Sequence, residues 1–235
     1  MAYGLLSVNS NPKIDKGNKI QSKYWSCIMH LRPINTKICP YQDIAKCKNA
    51  CLNTAGLGGV YPSIQKARQK KTDLYLNDRD EFMKVLVKDI HTFIRACNRK
   101  EKLPAVRLNG TSDIQWEKID IDGQNIFEMF PDVQFYDYTK IPTRKVDKIP
   151  NYHLTWSYSE ANEKYAKMFN AVPNNIAVVF RDKLLPKMFK GLKVIDGDTH
   201  DMRFLDKPNS VVGLKAKGKA KKDYSVFVID AIQIT

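Results

Sequence analysis

The chain has 235 residues, 43% of them hydrophobic, enough to bury a real core, and one α/β domain is the expected organisation. A formal charge of +14 draws polyanions, nucleic acid the commonest, but charge alone supplies neither sequence specificity nor chemistry. The first residues carry no basic start and only a brief apolar run, and no apolar stretch approaches the roughly 18 residues a membrane helix needs. The expectation is a soluble intracellular protein, in which five cysteines, an odd number, point to metal ligation or catalysis rather than to disulfides.

Residues 1–22 are polar and lysine-rich, with a turn signal at Asn9-Ser10-Asn11-Pro12, and read as a loose lead-in to a single domain over 23–235. A period of two over 24–31, with Trp25, Cys27, Met29 and Leu31 on one face, predicts a half-buried strand ending before Pro33. Next come Cys39-Pro40 in a kinked loop, Cys47 and Cys51 four residues apart, and a turn containing Gly56, Gly58 and Gly59. A helical turn at 47–51 would put both sulfurs on one face. With Cys39 they could converge on a metal or an iron–sulfur cluster, flexible glycine backbone lying beside them.

Ser63 is a candidate helix cap, and Asp78 or Asp80 opens a longer helix whose apolar stripe runs through Phe82, Leu86, Ile90 and Cys97. Then follow a strand at 105–110, a helix over 116–129, strands at 133–138 and 152–156, and a helix over 160–169. A strand at 176–180, a helical turn near Leu184 and a strand at 192–195 complete an alternation that implies parallel pairing, in an open sheet or a curved, incomplete barrel. Runs at 211–215 and 224–229 read as two antiparallel strands, a C-terminal hairpin whose loop carries Lys215, Lys217, Lys219, Lys221 and Lys222.

Polar residues sit at several strand ends, among them Asn109, Asp113, Tyr138, Ser157, Arg181, Asp196 and Asp198, and the carboxyl ends of parallel strands are where ligands bind. Asn109 and Asp113 suit a pocket floor, or simply end a strand and cap a helix. His200 among Asp198, Asp201 and Arg203 suits general acid–base work, while Asp196-Gly197-Asp198 is also an ordinary turn. His91 and His153 stand alone in the sequence. The lysine loop beside Tyr224 could track phosphates with a stacking surface, or be a solvated hairpin tip.

For the three cysteines the alternatives are a [4Fe–4S] cluster, a zinc site completed by His30 or Cys27, and buried or redox thiols. Cys27 shares its face with core residues, and Cys97 lies on the apolar stripe of its helix, from which a barrel could carry it toward a cluster. Iron held by three thiolates keeps one position open.

Cys39-Pro40, Cys47 to Cys51, Gly56 to Gly59, the run Arg107-Leu108-Asn109-Gly110-Thr111-Ser112-Asp113 and the run from Asp196 to Phe204 together resemble the phage-encoded gene product 88 domain. Members of that family resemble radical S-adenosylmethionine proteins in having a partial (β/α) barrel. The resemblance spans most of the chain from about Trp25 onward. It implies a [4Fe–4S] cluster on Cys39, Cys47 and Cys51, in the cytoplasm of an infected host cell, and leaves S-adenosylmethionine open as a further cofactor. The intervals of seven and three residues between the cysteines are wider than radical S-adenosylmethionine enzymes typically show.

Two functional classes follow. One is an iron–sulfur protein with redox or radical-type activity, with Gly56, Gly58, Gly59, Asn109 and Asp113 beside the cofactor. The other is a non-enzymatic module, folded around zinc or a cluster, that binds nucleic acid or an acidic host protein through its basic surface.

Overall fold

The computed structural model describes residues 4–8, 11–172 and 174–231. In chain order it runs β1 (Leu6–Ser7), α1 (Pro12–Ile20), β2 (Tyr24–Met29), α2 (Gly56–Val60), α3 (Pro62–Asn77), α4 (Arg79–Asn98), β3 (Leu103–Arg107), α5 (Ile126–Met129), β4 (Gln134–Thr139) and β5 (Tyr152–Ser157). Then follow α6 (Glu163–Ala166), β6 (Ile176–Phe180), β7 (Met188–Phe189), β8 (Leu192–Asp196), β9 (Ser210–Lys215) and β10 (Val228–Ile229). No helix among the described residues is long and apolar enough to cross a membrane.

The strands form one mixed, mostly parallel sheet in the order β1-β2-β3-β4-β5-β6-β9-β8-β7. Pairing is antiparallel for β1 with β2 and for β7 with β8, and parallel from β2 to β6, from β6 to β9 and from β9 to β8. Its two ends, β1 and β7, do not pair with each other among the described residues.

Both faces are covered, which a parallel sheet built on crossover connections requires. On one face the stripe Phe82, Leu86, Ile90, Phe93 and Cys97 of α4 packs against Cys27, Met29, Val106, Phe135 and Leu154. Asp78 caps α4 by accepting from the Glu81 amide, the role expected of it. On the other face Ile14 of α1 meets Ile28, Ala105 and Tyr136, with Phe204 against them. The alternation of Phe135 and Tyr136 between these clusters is the period-two signature of β4. It also corrects the half-buried reading of β2, whose Ser26 and Ile28 are as buried as Cys27 and Met29.

Other expectations change as well. The supposed loose lead-in forms β1 and α1, because Asp89 of α4 accepts from the Leu5 and Leu6 amides and Asn11 caps α1. The helix predicted for 116–129 is broken by a tight turn, in which Gly123 (φ 86°) donates to Asp120, leaving only a 3-10 turn at Trp116–Lys118 and the short α5. The helix of 160–169 is one turn of α6 followed by a 3-10 turn at Lys167–Asn170. Ser63 lies inside α3, which begins at Pro62 with Tyr61 in the capping position. No helical turn forms around Leu184.

The C-terminal hairpin is likewise replaced. Between β9 and β10 the chain turns at Gly218 (φ 56°) into a 3-10 turn, Gly218–Lys222, and β10 then runs parallel to β6. It takes Val179 and Phe180 of β6, just beyond the two residues, Ile176 and Ala177, that pair with β5. β9 flanks β6 on its opposite edge, also parallel.

Candidate functional site at the carboxyl edge of the sheet

Residues 38–51 form a strap of turns across the carboxyl edge, with no helix at Cys47 and Cys51 as had been expected. The strap is fastened at each strand it passes. The Asp113 amide donates to the Ile38 carbonyl (2.8 Å) and Cys39 Sγ lies 3.9 Å from the Thr111 carbonyl, both beyond β3. Past β5, Ser159 Oγ donates to the Ala45 carbonyl (2.8 Å), and Ser225 Oγ does so to that of Lys46 (3.3 Å). Ala50 then packs with Ala216, Ala220, Phe227 and Val228, so the strap reaches from β3 to the lysine-bearing segment. Lys46 has φ 48°, a region a long side chain enters at a cost, in the turn immediately before Cys47.

Cys39 lies within electrostatic reach of Cys51 and Cys47, and Cys51 within reach of Cys47. Burial pushes the Cys39 thiol well up, and Asp113, Cys51 and Cys47 push it further. Burial likewise raises Cys47 and Cys51, while Lys140 favours both thiolates. Cys51 Sγ accepts the Asn53 amide (3.4 Å), a bond that also stabilises a thiolate. Lys140, just beyond β4, is brought down to about 8 by its burial, against the pull of Cys47, Asp113 and Cys51. Its Nζ donates to the Ser157 carbonyl (2.9 Å) and to Ser157 Oγ (2.7 Å).

Among the described residues, no group of three or more His, Cys, Asp or Glu side chains is arranged so that it could hold a metal ion. The donor chemistry nevertheless fits a soft metal or an iron–sulfur cluster: three thiols free of disulfides on one strap, with an N–H on one sulfur and two cations, Lys140 and Arg68, among the groups that act on them.

Other predicted residues are placed differently. Cys27 and Cys97 are core residues between β2 and α4. His30 is held well below the ordinary histidine range by burial and by Arg68, Arg107 and Lys71, a cationic setting that disfavours a bound cation. Gly56, Gly58 and Gly59 start the helix α2 rather than an open turn. The Gly59 amide bonds the Ala55 carbonyl, and a β-carbon there would lie 2.2 Å from the Thr54 carbonyl oxygen.

Asn109 and Asp113 are committed to the fold. Asn109 Oδ1 accepts from Ser112, Ile114 and Trp116, and its Nδ2 donates to the Ile114 carbonyl. Asp113 accepts from Thr139 Oγ1 (2.8 Å) and from the Lys140 amide (2.7 Å), so it fixes the β3 and β4 ends relative to the strap. His200 bonds Arg203 through Nδ1 (3.1 Å), while Asp201 pairs with Arg107 (2.5 Å). Burial and Arg203 lower the His200 imidazole, against the pull of Asp201.

On the lysine segment, Lys219, Lys221 and Lys222 are exposed. Lys217 pairs with Asp198 (2.8 Å), and the Lys215 amide bonds the same carboxylate. Arg181 lies 4.9 Å over the ring of Tyr224, which is 85% exposed. Lys140, Arg68 and Ser159 were not anticipated, although Lys140 follows the β4 run directly and the strand-end rule could have found it.

No curated protein and no solved structure matches the chain. Nothing in the comparisons extends to the radical S-adenosylmethionine enzymes. The family model for Gene product 88 matches residues 5–231, from β1 to just beyond β10, and takes in the whole cysteine strap. The chain therefore belongs to the Gene product 88 family.

Proposed function

We propose that this chain is an iron–sulfur protein in which Cys39, Cys47 and Cys51 hold a [4Fe–4S] cluster over the carboxyl edge of a sheet curved as a partial (β/α) barrel. The observation that carries this reading is the gathering of three half-buried thiols on one strap at the carboxyl edge, with Lys140 within electrostatic reach of Cys47 and Cys51. When bound, the cluster would supply one-electron chemistry and, at an iron without a protein ligand, a position for a small ligand such as S-adenosylmethionine. The chain's own part is to exclude water with Tyr41, Ala45 and Ala50, to offset thiolate charge with Lys140, and to direct the Asn53 amide at Cys51. Action in the cytoplasm of an infected host cell accompanies this reading.

A second reading rests on a different observation. The exposed Lys219, Lys221 and Lys222 beside Tyr224 and Arg181 form a cationic, aromatic ledge suited to a nucleic-acid strand or an acidic host protein. In that case the cysteine strap serves only to hold the fold, with or without zinc.

Anaerobic purification with iron and sulfide analysis separates the two. The first reading expects a brown protein with a broad visible charge-transfer band and about four iron and four sulfide per chain, lost on Cys47→Ser. A colourless or zinc-loaded protein under the same conditions overturns it in favour of the second.

A further inference from the structure

Among the described residues six buried side-chain atoms have no hydrogen-bond partner: Arg107 Nε, Tyr138 OH, Trp156 Nε1, Arg203 Nε, Arg203 Nη1 and Asp206 Oδ2. All but the tryptophan nitrogen belong to one cluster. Arg107 lies 4.7 Å over the Tyr138 ring, Arg203 Nε is 3.2 Å from Asp206 Oδ2 without hydrogen-bond alignment, and the Tyr138 hydroxyl is under the influence of Arg203, Asp201, Arg107 and Asp206. The groups come from β3, β4 and the 3-10 turn at Arg203–Leu205, on the face of the sheet that α1 covers.

An unpaired buried polar group costs about 1–3 kcal/mol, and more when it is charged. Three such donors scattered through a fold are an imperfection, but gathered in one place they present a site for an acceptor. Arg203 is fully buried, with its Nη2 on the His200 carbonyl and ring and its Nε ion-paired with Asp206 (3.2 Å), so the guanidinium is fixed while Nη1 has no partner. With the Arg203 Nε–Asp206 ion pair set aside, the atoms without a partner are three donors, Arg203 Nη1, Arg107 Nε and Tyr138 OH. Their complement is an acceptor-rich group, and since Arg107 and Arg203 are already paired with Asp201 and Asp206, directed hydrogen bonds rather than net positive charge would hold it. Tyr138 is only partly buried and stands near the carboxyl end of β4.

We propose that Arg107, Tyr138 and Arg203 form a binding site for a small oxyanion, the carboxylate or phosphate group of a small molecule, independent of any metal on the cysteine strap. Arg203 supplies Nη1, Arg107 supplies Nε, and the Tyr138 hydroxyl closes the set.

The test is thermal unfolding of the whole chain titrated with inorganic phosphate and, separately, with malonate, against sodium chloride at matched ionic strength. Phosphate stabilises many proteins without binding, so the sign of binding is saturation rather than a steady rise. Saturation by phosphate alone identifies a phosphate-bearing ligand, and saturation by malonate alone a carboxylate. Tyr138→Phe keeps the ring over Arg107 and removes the free hydroxyl. It should leave the ligand-free melting temperature unchanged or higher and weaken binding about two- to tenfold. Arg203→Gln should abolish saturation, and if it does not fold, Tyr138→Phe decides alone. A non-saturating response to both anions, equal affinity in Tyr138→Phe, or a ligand-free loss of stability in that variant each overturns the proposal.

Discussion

The side chain of Asn18 makes two hydrogen bonds to the backbone of Ser26, donating to its carbonyl through Nδ2 (2.9 Å) and accepting from its amide through Oδ1 (2.7 Å). One amide thus imitates a strand at the edge of β2, where β1 pairs only with Ile28 and Met29. Asn18→Ala leaves both main-chain groups of the buried Ser26 without this partner. It should lower unfolding free energy by about 1–3 kcal/mol, measured by urea denaturation. Asn18→Asp, which keeps only the acceptor, should fall between Ala and the wild type, and equal stability of all three would show that α1 contributes nothing to the sheet edge.

Asp137 lies fully buried on β4 and accepts from the Asn109 amide (2.6 Å) and from Tyr152 OH (3.0 Å). Burial raises its carboxyl to about 7 despite these bonds and the nearby Arg107 and Arg144. Between the ordinary aspartate value and about 7 the folded chain therefore binds a proton that the unfolded chain has released, so stability contributed here falls as pH rises through that window. His153 acts oppositely: burial and Arg203 lower it to about 4, so below its ordinary value the unfolded state takes the proton first, and stability rises with pH from about 4 to 6.5. Asp137→Asn should make the stability profile rise more steeply between pH 4 and 7, and His153→Gln should make it fall. Parallel profiles for wild type and Asp137→Asn would refute the assignment.

Much of the sheet can be read from local pattern. The apolar runs at 152–156 and 176–180 are strands because both faces of a parallel sheet are buried, and α4 declares itself through the Asp78 cap and its Phe82 to Cys97 stripe. What local pattern does not carry is pairing direction. The runs at 211–215 and 224–229 look like a hairpin, since short strands joined by a polar loop usually are one, yet both lie parallel to β6 because buried Ala216 and Ala220 pull the intervening lysines across the edge onto Ala50. The same holds for the site. Three nearby cysteines stand out in the sequence, whereas Lys140 and Ser159 act on the strap only through residue separations of roughly one hundred, and Arg107 meets Asp201 from 94 residues away.

Arg144, whose side chain is fully buried, makes a bidentate contact with Glu117 (2.8 and 2.6 Å), donates to Tyr152 OH (2.8 Å), and approaches Asp113 at 3.4 Å. This network anchors the loop after β4 to the residues that hold the start of the cysteine strap. Removing one member of a buried ion pair leaves its partner's charge uncompensated, so Glu117→Ala should lower stability by about 3–5 kcal/mol in chemical denaturation. Replacing the pair together, Arg144→Met with Glu117→Leu, should recover a large share of that loss, because the penalty comes from the stranded charge. A double variant as unstable as the sum of both single changes would show that the network acts through packing instead.

The ledge of Lys219, Lys221 and Lys222 makes a claim about salt that does not depend on the cysteines. If a single strand of nucleic acid lies across it, each lysine that neutralises a phosphate releases counterions, and affinity falls with salt by about 0.7 log units per decade for each contact. Replacing all three lysines with glutamine should therefore flatten the salt dependence of binding to a labelled oligothymidylate by about two log units per decade. Tyr224→Ala should act differently, since stacking of a base on an exposed ring carries no counterion release: affinity drops by about 1–3 kcal/mol while the salt slope is kept. Lys217 provides the internal control, because Asp198 already holds its ammonium at 2.8 Å, and Lys217→Gln should change the slope least of the segment. Fluorescence anisotropy across a salt series separates these outcomes, and an unchanged slope in the triple variant would move any polyanion contact away from this ledge.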